Sequence, residues 1–532
     1  MEIYDYTIYD MLSRNVISFR KNPAWFEAEM NETFTFAQFK KKVDRLAAGL
    51  QKNGVKKGDR IGVIGKNSIG NFLVCIAAAA VGAIVVPLNW RLSAEEMGYN
   101  LTDCEPVILF SDKEFQETIE GLRSKLPSVR KYFDLGQEKG SFFEFDALMD
   151  NEGNFNRPES LSSNDGFVII YTAAVAGQSR GALLSHVNVL LACWGFTDYL
   201  NLGPADVHLS ILPFFHVAGL FSSIIALQVG ALNVNMNRYE ADAVVKLIKQ
   251  KKVSVLFEFS PILSQILEQN EKTRGDISSL RAVAGLDTPE TIEKYQKTTK
   301  GTFYSVYGQT EVSGFATLAR YDERPGSAGK MLPFVELGLV DDYDRQVQIG
   351  HTGEIVTRGP MVFKGYWNLP EETEYTFRNG WHHTGDLGRL DEDGFLWYAG
   401  RKAEKELIKP GGENVYPAEV EKVILEHPAI EKVVVFGVPD PKWKEGIKAV
   451  CQLKEGKRLK AQELIDFVGG KIARYKKPQY VEFISELPLL EDGSPDRVKA
   501  KALYGGRLKC RRRAALKRMY ATNGDQKTPP SC

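Results

Sequence analysis

Between residues 35 and 112 the apolar positions switch repeatedly between two patterns: the 3.6-residue spacing of a helix and the short unbroken runs of a buried strand. The spacing predicts helices over 36–51 and 67–80 and strands over 60–64, 83–86 and 107–110. Strands alternating with helices predict parallel βαβ units. The longest apolar run, 72–88, contains Gly82 and Pro87 and is too short to span a bilayer comfortably, so it reads as a buried helix leading into a buried strand.

After a polar segment, 137–164, the alternation resumes. Strands are expected over 167–171, 232–235, 253–257, 280–283 and 303–306. Helices are expected from about His186 and over 218–227, 241–250, 261–268 and 289–298. Past residue 320 short strands over 336–340, 353–358 and 395–399 alternate with Gly-rich turns, which suggests a small β-rich subdomain. A charged connector, 404–410, precedes helices over 418–426 and 461–469 and strands over 430–437 and 449–453. The expected fold class is therefore α/β. A large N-terminal domain holds several α/β sheets and a β-rich subdomain, and a smaller α+β C-terminal domain follows. The boundaries read as 1–403, a hinge at 404–408, 409–505, and a basic tail at 506–532.

Composition narrows the function. Lys plus Arg equals Asp plus Glu at 68 each, so no global charge steers the 532-residue chain toward nucleic acid. The six cysteines are scattered with no CxxC spacing, which signals neither a zinc site nor a disulfide framework and favours a reducing, cytoplasmic setting. The N-terminus lacks the basic and apolar regions of a signal peptide, and no membrane span is expected. The stretch Gly62 to Gly65 lacks the GxGxxG spacing of a dinucleotide loop.

Several short stretches carry chemistry. In Tyr307-Gly308-Gln309-Thr310-Glu311 a buried strand breaks into a turn, which sets a hydroxyl and a carboxylate at the carboxyl end of a strand, where open α/β sheets bind ligands. That pair suits a phosphate oxygen and its Mg2+, a hard cation often held by one or two carboxylates. Residues 171–181 form a strand and a small-residue loop ending in Arg180, able to bring backbone N–H groups and a positive charge around a polyphosphate. His216 sits among apolar and small residues in LPFFHVAGL, and Asp386 ends GWHHTGD after a glycine turn. Gly400-Arg401 and the stretch from Lys409 to Pro417 follow.

The order and spacing of LPFFHVAGL, YGQTE, GWHHTGD and GGENVYPAEVE resemble the adenylate-forming superfamily of acyl-CoA synthetases, luciferases and peptide-synthetase adenylation domains, over about residues 10–503. The acyl-CoA synthetase branch fits best. The resemblance implies ATP (as AMP donor), Mg2+ and coenzyme A, with a carboxylic acid converted through an acyl-adenylate to its thioester. It implies adenine contacts at Tyr307 and Gly308 with the stretch from Gly285 to Pro289, which includes Asp287, a nucleotide contact at Gln309, and an α-phosphate contact at Thr310. Glu311 would hold Mg2+, Asp386 the ribose, and Arg401 would assist. His216 would stand between acyl group and nucleotide. The loop with Lys409, Gly411, Gly412 and Glu413 would enter for thioester formation, carried by a C-terminal domain that rotates about the hinge. A homodimer is compatible with this reading.

Two places depart from the family pattern. Ala173, Ala174, Val175 and Ala176 replace most hydroxyl and glycine positions of the phosphate loop, and Arg180 replaces its lysine, while Thr172, Gly177 and Gly181 remain. Ser494 stands where the C-terminal catalytic lysine is expected, with Lys499 or Lys501 as alternatives. The hinge is about two residues longer than usual. Slow forward adenylation is expected, with thioester formation or its reversal toward ATP preserved. The acid reads as medium-chain, alicyclic or aromatic. Two other readings remain: a nucleotide-binding relative that has lost ligation, and a ligase that passes acyl-AMP to a carrier protein.

Overall fold

The computed structural model describes residues 3–135, 140–172, 178–402, 407–413, 415–441, 443–489 and 495–505. The chain divides into two compact units, with the main break between Lys405 and Glu406.

The first unit is built on three sheets. Its nine-stranded sheet has six parallel strands at its heart, in the order Thr302–Tyr307, Ala282–Leu286, Val255–Phe259, Val207–Ser210, Leu232–Asn235 and Pro23–Glu27. A seven-stranded sheet is parallel from Gly166–Thr172 through Ile84–Pro87, Arg60–Ile64 and Ile108–Ser111 to Lys131–Asp134, and it ends antiparallel in Arg180–Ser185 and Gly365–Tyr366. The β-rich expectation past residue 320 corresponds to an antiparallel four-stranded sheet, Glu336–Val340, Thr352–Arg358, His382–Leu390 and Leu396–Arg401.

Helices enter where capping residues invite them. Thr35, Ser93 and Ser185 each accept the backbone N–H three residues on, with Gln38, Glu96 and Asn188 reaching back. The apolar run resolves as expected into a buried helix, Ile69–Val81, closed by left-handed Gly82 and followed by the strand Ile84–Pro87. Trp25 is fully buried and stacks on Phe72 at 4.9 Å and Phe39 at 6.2 Å, tying the strand next to the sheet's far edge to two helices.

The structure differs in one place that matters for the site. The loop after Thr172 leads not straight into a helix but into the strand Arg180–Ser185, paired antiparallel with Gly166–Thr172. Its run RGALLS has helix-forming residues, and the pairing on the sheet overrides that local preference.

The second unit is a three-stranded sheet of Ile430–Asp440, Lys444–Leu453 and Tyr480–Ile484 with helices Pro417–Leu425, Ala461–Gly469 and Arg497–Tyr504. Among the described residues no helix is long and apolar enough to cross a membrane, and the four described cysteines are free and buried.

Candidate active site

The central strand Thr302–Tyr307 delivers Tyr307 to the carboxyl edge of its sheet, and the chain turns sharply there. A Cβ on Gly308 would lie 2.3 Å from the Gly314 carbonyl oxygen and 2.4 Å from Phe315 Cα, so only glycine allows this crossing. The turn is closed by Gly314 N–H to Gln309 O at 3.0 Å and Ala316 N–H to Tyr307 O at 2.8 Å. Ser313 and Gly314 take positive φ of 57° and 100° to complete it.

Two carboxylates border this turn. Asp386, from the four-stranded sheet, is 1% exposed and accepts the Tyr307 hydroxyl at 2.9 Å and the Gln309 amide at 3.4 Å. Arg401, directly across the strand pair, brings Nε to 2.9 Å from Asp386 Oδ1. Burial, and then the Asp386 charge, push the Tyr307 phenol well above its usual pKa, so it stays a donor. Glu311 lies within the turn itself and is 6% exposed. Its Oε1 accepts the Tyr366 hydroxyl at 2.8 Å, and among the described residues Oε2 receives no hydrogen bond. Half-buried Thr310 precedes it.

Gly285 faces the neighbouring strand so closely that a Cβ would sit 1.9 Å from Glu258 O. Asp287 accepts the Thr288 N–H at 2.7 Å just before the helix Pro289–Thr299. At the hairpin mouth Thr172 Oγ1 donates to Arg180 O at 3.4 Å. Gly181 lets the strands close, since a Cβ there would be 2.7 Å from Ile169 Cγ2. The Arg180 guanidinium stacks over the Tyr366 ring at 4.2 Å.

His216 caps the helix Val217–Val229 and packs against the Phe215 ring at 4.5 Å. Burial, with the Arg91 charge adding to it, lowers its pKa to about 4, so the imidazole is neutral at pH 7. Beside that helix the Phe315 ring at the end of the turn contacts Phe196 at 4.9 Å, and Phe196 contacts Phe257 at 5.5 Å.

In the second unit the loop with Lys409 is held from inside. Lys409 N–H donates to Glu445 Oε2 at 2.7 Å, and Gly411 N–H to Trp443 O at 3.2 Å. Gly411 has φ +60° and a Cβ there would meet the Trp443 ring at 2.9 Å. Gly412 ends the short 3-10 turn, and Glu413 N–H returns to Pro410 O at 3.3 Å. Lys499 and Lys501 are both exposed on the helix Arg497–Tyr504. Gly177 and Ser494, like residues 173–176 and 403–406, fall outside the described residues.

The structure thus brings Tyr307, Gln309, Asp386 and Arg401 together, with Glu311 in the same turn. Sequence reasoning missed Tyr366 and Glu354. Glu354 is 3% exposed, accepts Gly385 N–H at 2.9 Å beside Asp386, and pairs with His383 at 3.2 Å and Lys402 at 3.0 Å. Burial opposes its ionisation, and the hydrogen bonds from His383 and Lys402 outweigh burial, leaving its pKa at about 2. The run KGYW, with an aromatic directly after a glycine, was the available signal for Tyr366.

Residues 13–367 match the model of the AMP-binding enzyme family, and residues 419–493 match that of the AMP-binding enzyme C-terminal domain. The chain belongs to the AMP-binding enzyme family, within the adenylate-forming superfamily. Among curated relatives it is 34% identical over 462 residues to an indoleacetate–CoA ligase of Aromatoleum aromaticum, covering 85% of this chain and 90% of that protein. It is 32% identical over 481 residues to a feruloyl-CoA synthase of an Amycolatopsis species, covering 88% and 94%. Among solved structures, one of a protein described as a putative long-chain-fatty-acid CoA ligase from Rhodopseudomonas palustris superposes with a TM-score of 0.72 at 40% identity, covering 75% of this chain and all of that one. An o-succinylbenzoate CoA synthetase from Bacillus subtilis gives 0.82 at 27%, covering 93% and 98%. The protein is an AMP-forming acid–thiol ligase that uses ATP and CoA as co-substrates.

Proposed function

We propose that this ligase activates a bulky monocarboxylic acid, aromatic in preference to medium-chain or alicyclic, and that the Tyr307–Glu311 turn is the centre of its adenylation site. The observation that carries the reading is the shared position of Asp386, held by Tyr307, Gln309 and Arg401, and of Glu311 at one strand end. The aromatic preference is supported by the Phe196, Phe257 and Phe315 rings beside the turn. It is supported also by relatives whose names specify indoleacetate, ferulate and 2-succinylbenzoate.

In this reading Asp386 accepts the ribose hydroxyls while Arg401 balances its charge, and Thr310 donates to the α-phosphate. A carboxylate oxygen of the acid attacks the α-phosphorus, the bond to pyrophosphate breaks, and acyl-AMP forms. The thiol of CoA then attacks the acyl carbon, a C–S bond replaces the C–O bond, and AMP leaves. His216, neutral at pH 7, orients the acid by hydrogen bonding rather than by charge. Mg2+ fits Glu311. Its carboxylate is a hard oxygen donor, only one oxygen is engaged among the described residues, and no group of three His, Cys, Asp or Glu residues able to hold a metal occurs among them. That matches a cation held by one carboxylate and by phosphate oxygens. When bound, the ion neutralises charge on the phosphates.

The Ala-rich loop at 173–176 and Ser494 support slow forward adenylation with thioester formation preserved. Hydrogen bonds to charged groups contribute roughly 1.5–3 kcal/mol each, so the loss of several loop donors is costly at the outer phosphates. Incubation with ATP, Mg2+, CoA and a panel of indole-3-acetate, ferulate, octanoate, cyclohexanecarboxylate and acetate tests the substrate. The aromatic acids should give the highest kcat/KM for AMP release and acyl-CoA formation; preference for acetate would overturn the reading. Ser494→Lys should speed single-turnover acyl-AMP formation, and an unchanged rate would remove the account of Ser494.

A further inference from the structure

We infer that Tyr366 is a positioning residue that keeps an acid and a cation apart so that both remain available to Mg2+·ATP. The inference rests on the proposed role of Glu311 and adds a residue whose contribution that reading leaves open. Tyr366 and Glu311 are each 6% exposed. The phenol of Tyr366 donates to Glu311 Oε1 at 2.8 Å, and the face of the same ring carries the Arg180 guanidinium at 4.2 Å. A carboxylate and a guanidinium in so enclosed a place would ordinarily find each other, because a bidentate pair is the strongest contact open to them. Here neither forms an ion pair among the described residues, and Arg180 Nε is buried without a hydrogen-bond partner among them.

The ring separates the two charges in two ways. Its hydroxyl binds one carboxylate oxygen and leaves the other without a hydrogen bond among the described residues. Its face binds the guanidinium through the π cloud, a contact that uses none of the N–H donors. Direct pairing would consume both sets. Mg2+ needs a carboxylate oxygen, and a phosphate needs N–H donors, so the spacer preserves what each requires.

The backbone fixes Tyr366 for this task. Gly365 and Tyr366 pair with Leu183 and Ala182, three and two places along the strand that begins at Arg180. Tyr366 N–H donates to Thr373 Oγ1 at 2.9 Å, and Gly365 takes φ +130° where a Cβ would lie 2.6 Å from Thr373 Cγ2. On the other side Phe363 N–H donates to Glu311 O at 2.9 Å, and Ser313 Oγ to Met361 O at 2.6 Å. The segment that presents the phenol is thereby tied to the turn that presents the acid.

Calorimetric binding of ATP to the full chain, with Mg2+ and with EDTA, tests this without any acid substrate, and AMP binding reports on the fold. Mg2+ should tighten ATP binding to the wild-type protein. Tyr366→Phe keeps the ring and removes the hydroxyl, so the Mg2+-dependent tightening should fall about tenfold, as expected for a hydrogen bond to a charged group, with AMP affinity unchanged. Glu311→Gln should abolish the tightening. If Glu311→Gln abolishes it and Tyr366→Phe matches wild type, the inference is wrong and the reading of Glu311 stands. If Glu311→Gln matches wild type, the metal reading fails and takes the inference with it. Equal weakening of AMP and Mg2+·ATP by Tyr366→Phe would reduce Tyr366 to a packing role.

Discussion

Asp386 and Glu311 are both buried carboxylates beside one turn, and they are held in opposite ways. Asp386 has a phenol, an amide and a guanidinium around it. Glu311 accepts one phenol on one oxygen and forms no ion pair among the described residues, and the Arg180 guanidinium stacks on the face of that same ring. A carboxylate already compensated by a guanidinium can receive neutral hydroxyls such as those of a ribose at little electrostatic cost. One without a cation stabilises a cation that arrives with the substrate.

The same contrast recurs away from the turn. Glu354, faced by His383, Lys402 and Arg378, ionises at about 2. Glu27 is 3% exposed and receives neutral donors from Trp25, Ile69 and Asn235; burial pushes its pKa up to about 8. Burial opposes ionisation of both carboxylates, and the cations around Glu354 overcome it while the neutral donors to Glu27 do not.

The largest expected effect comes from removing the uncompensated acid. Glu311→Gln should slow acyl-AMP formation on the order of a hundredfold or more, the range for loss of a group that stabilises transition-state charge. The check is single-turnover kinetics against a thiol step started from supplied acyl-AMP, which should be spared. Asp386→Asn tests the other side. It leaves Arg401 without its carboxylate and should cost about 2 kcal/mol, less than the roughly 3–5 of a fully buried pair because Arg401 is partly exposed. Thermal melts and AMP titrations read this, and wild-type values in both would erase the contrast.

Glu27 offers a pH-dependent version. Its folded pKa of about 8 lies above the ordinary glutamate value of 4.5, so its stabilising contribution is full below about 4.5 and is lost as pH rises through 8. That gives a slope of up to ~1.4 kcal/mol per pH unit. Glu27→Gln should flatten the fall in melting temperature between pH 6 and 8; an unchanged slope would show that Glu27 ionises normally. The smallest effect is expected from Tyr307→Phe, which removes one of several partners of Asp386 and should cost about 1 kcal/mol, measured as a shift in urea midpoint.

Much of this was legible in the residues. The run from Phe303 to Val306 breaking at Tyr-Gly placed the turn, and the alternation of periods placed the parallel strands. The supports of the site were harder to read. Gly365–Tyr366 is a strand of two residues, too short to show any period, and its pairing with Arg180–Ser185 is set by the sheet rather than by local preference. The Glu354 cluster joins residues 29 and 48 places apart, and nothing in the sequence links a carboxylate to cations so distant.

The turn that carries Glu311 ends at Gly314, whose added Cβ would stand 3.6 Å from Val217 Cγ2 and 4.0 Å from Phe221 Cδ2. If the acid lies beside the turn as proposed, its surroundings and Glu311 share one stretch of backbone, the four residues from Glu311 to Gly314. A side chain introduced at Gly314 would also have to take the left-handed φ of 100°, and it would disturb the turn that carries Glu311 in the same move. Val217 and Phe221, on the helix that faces Gly314, can vary without changing the backbone of the turn itself, although Val217 directly follows His216.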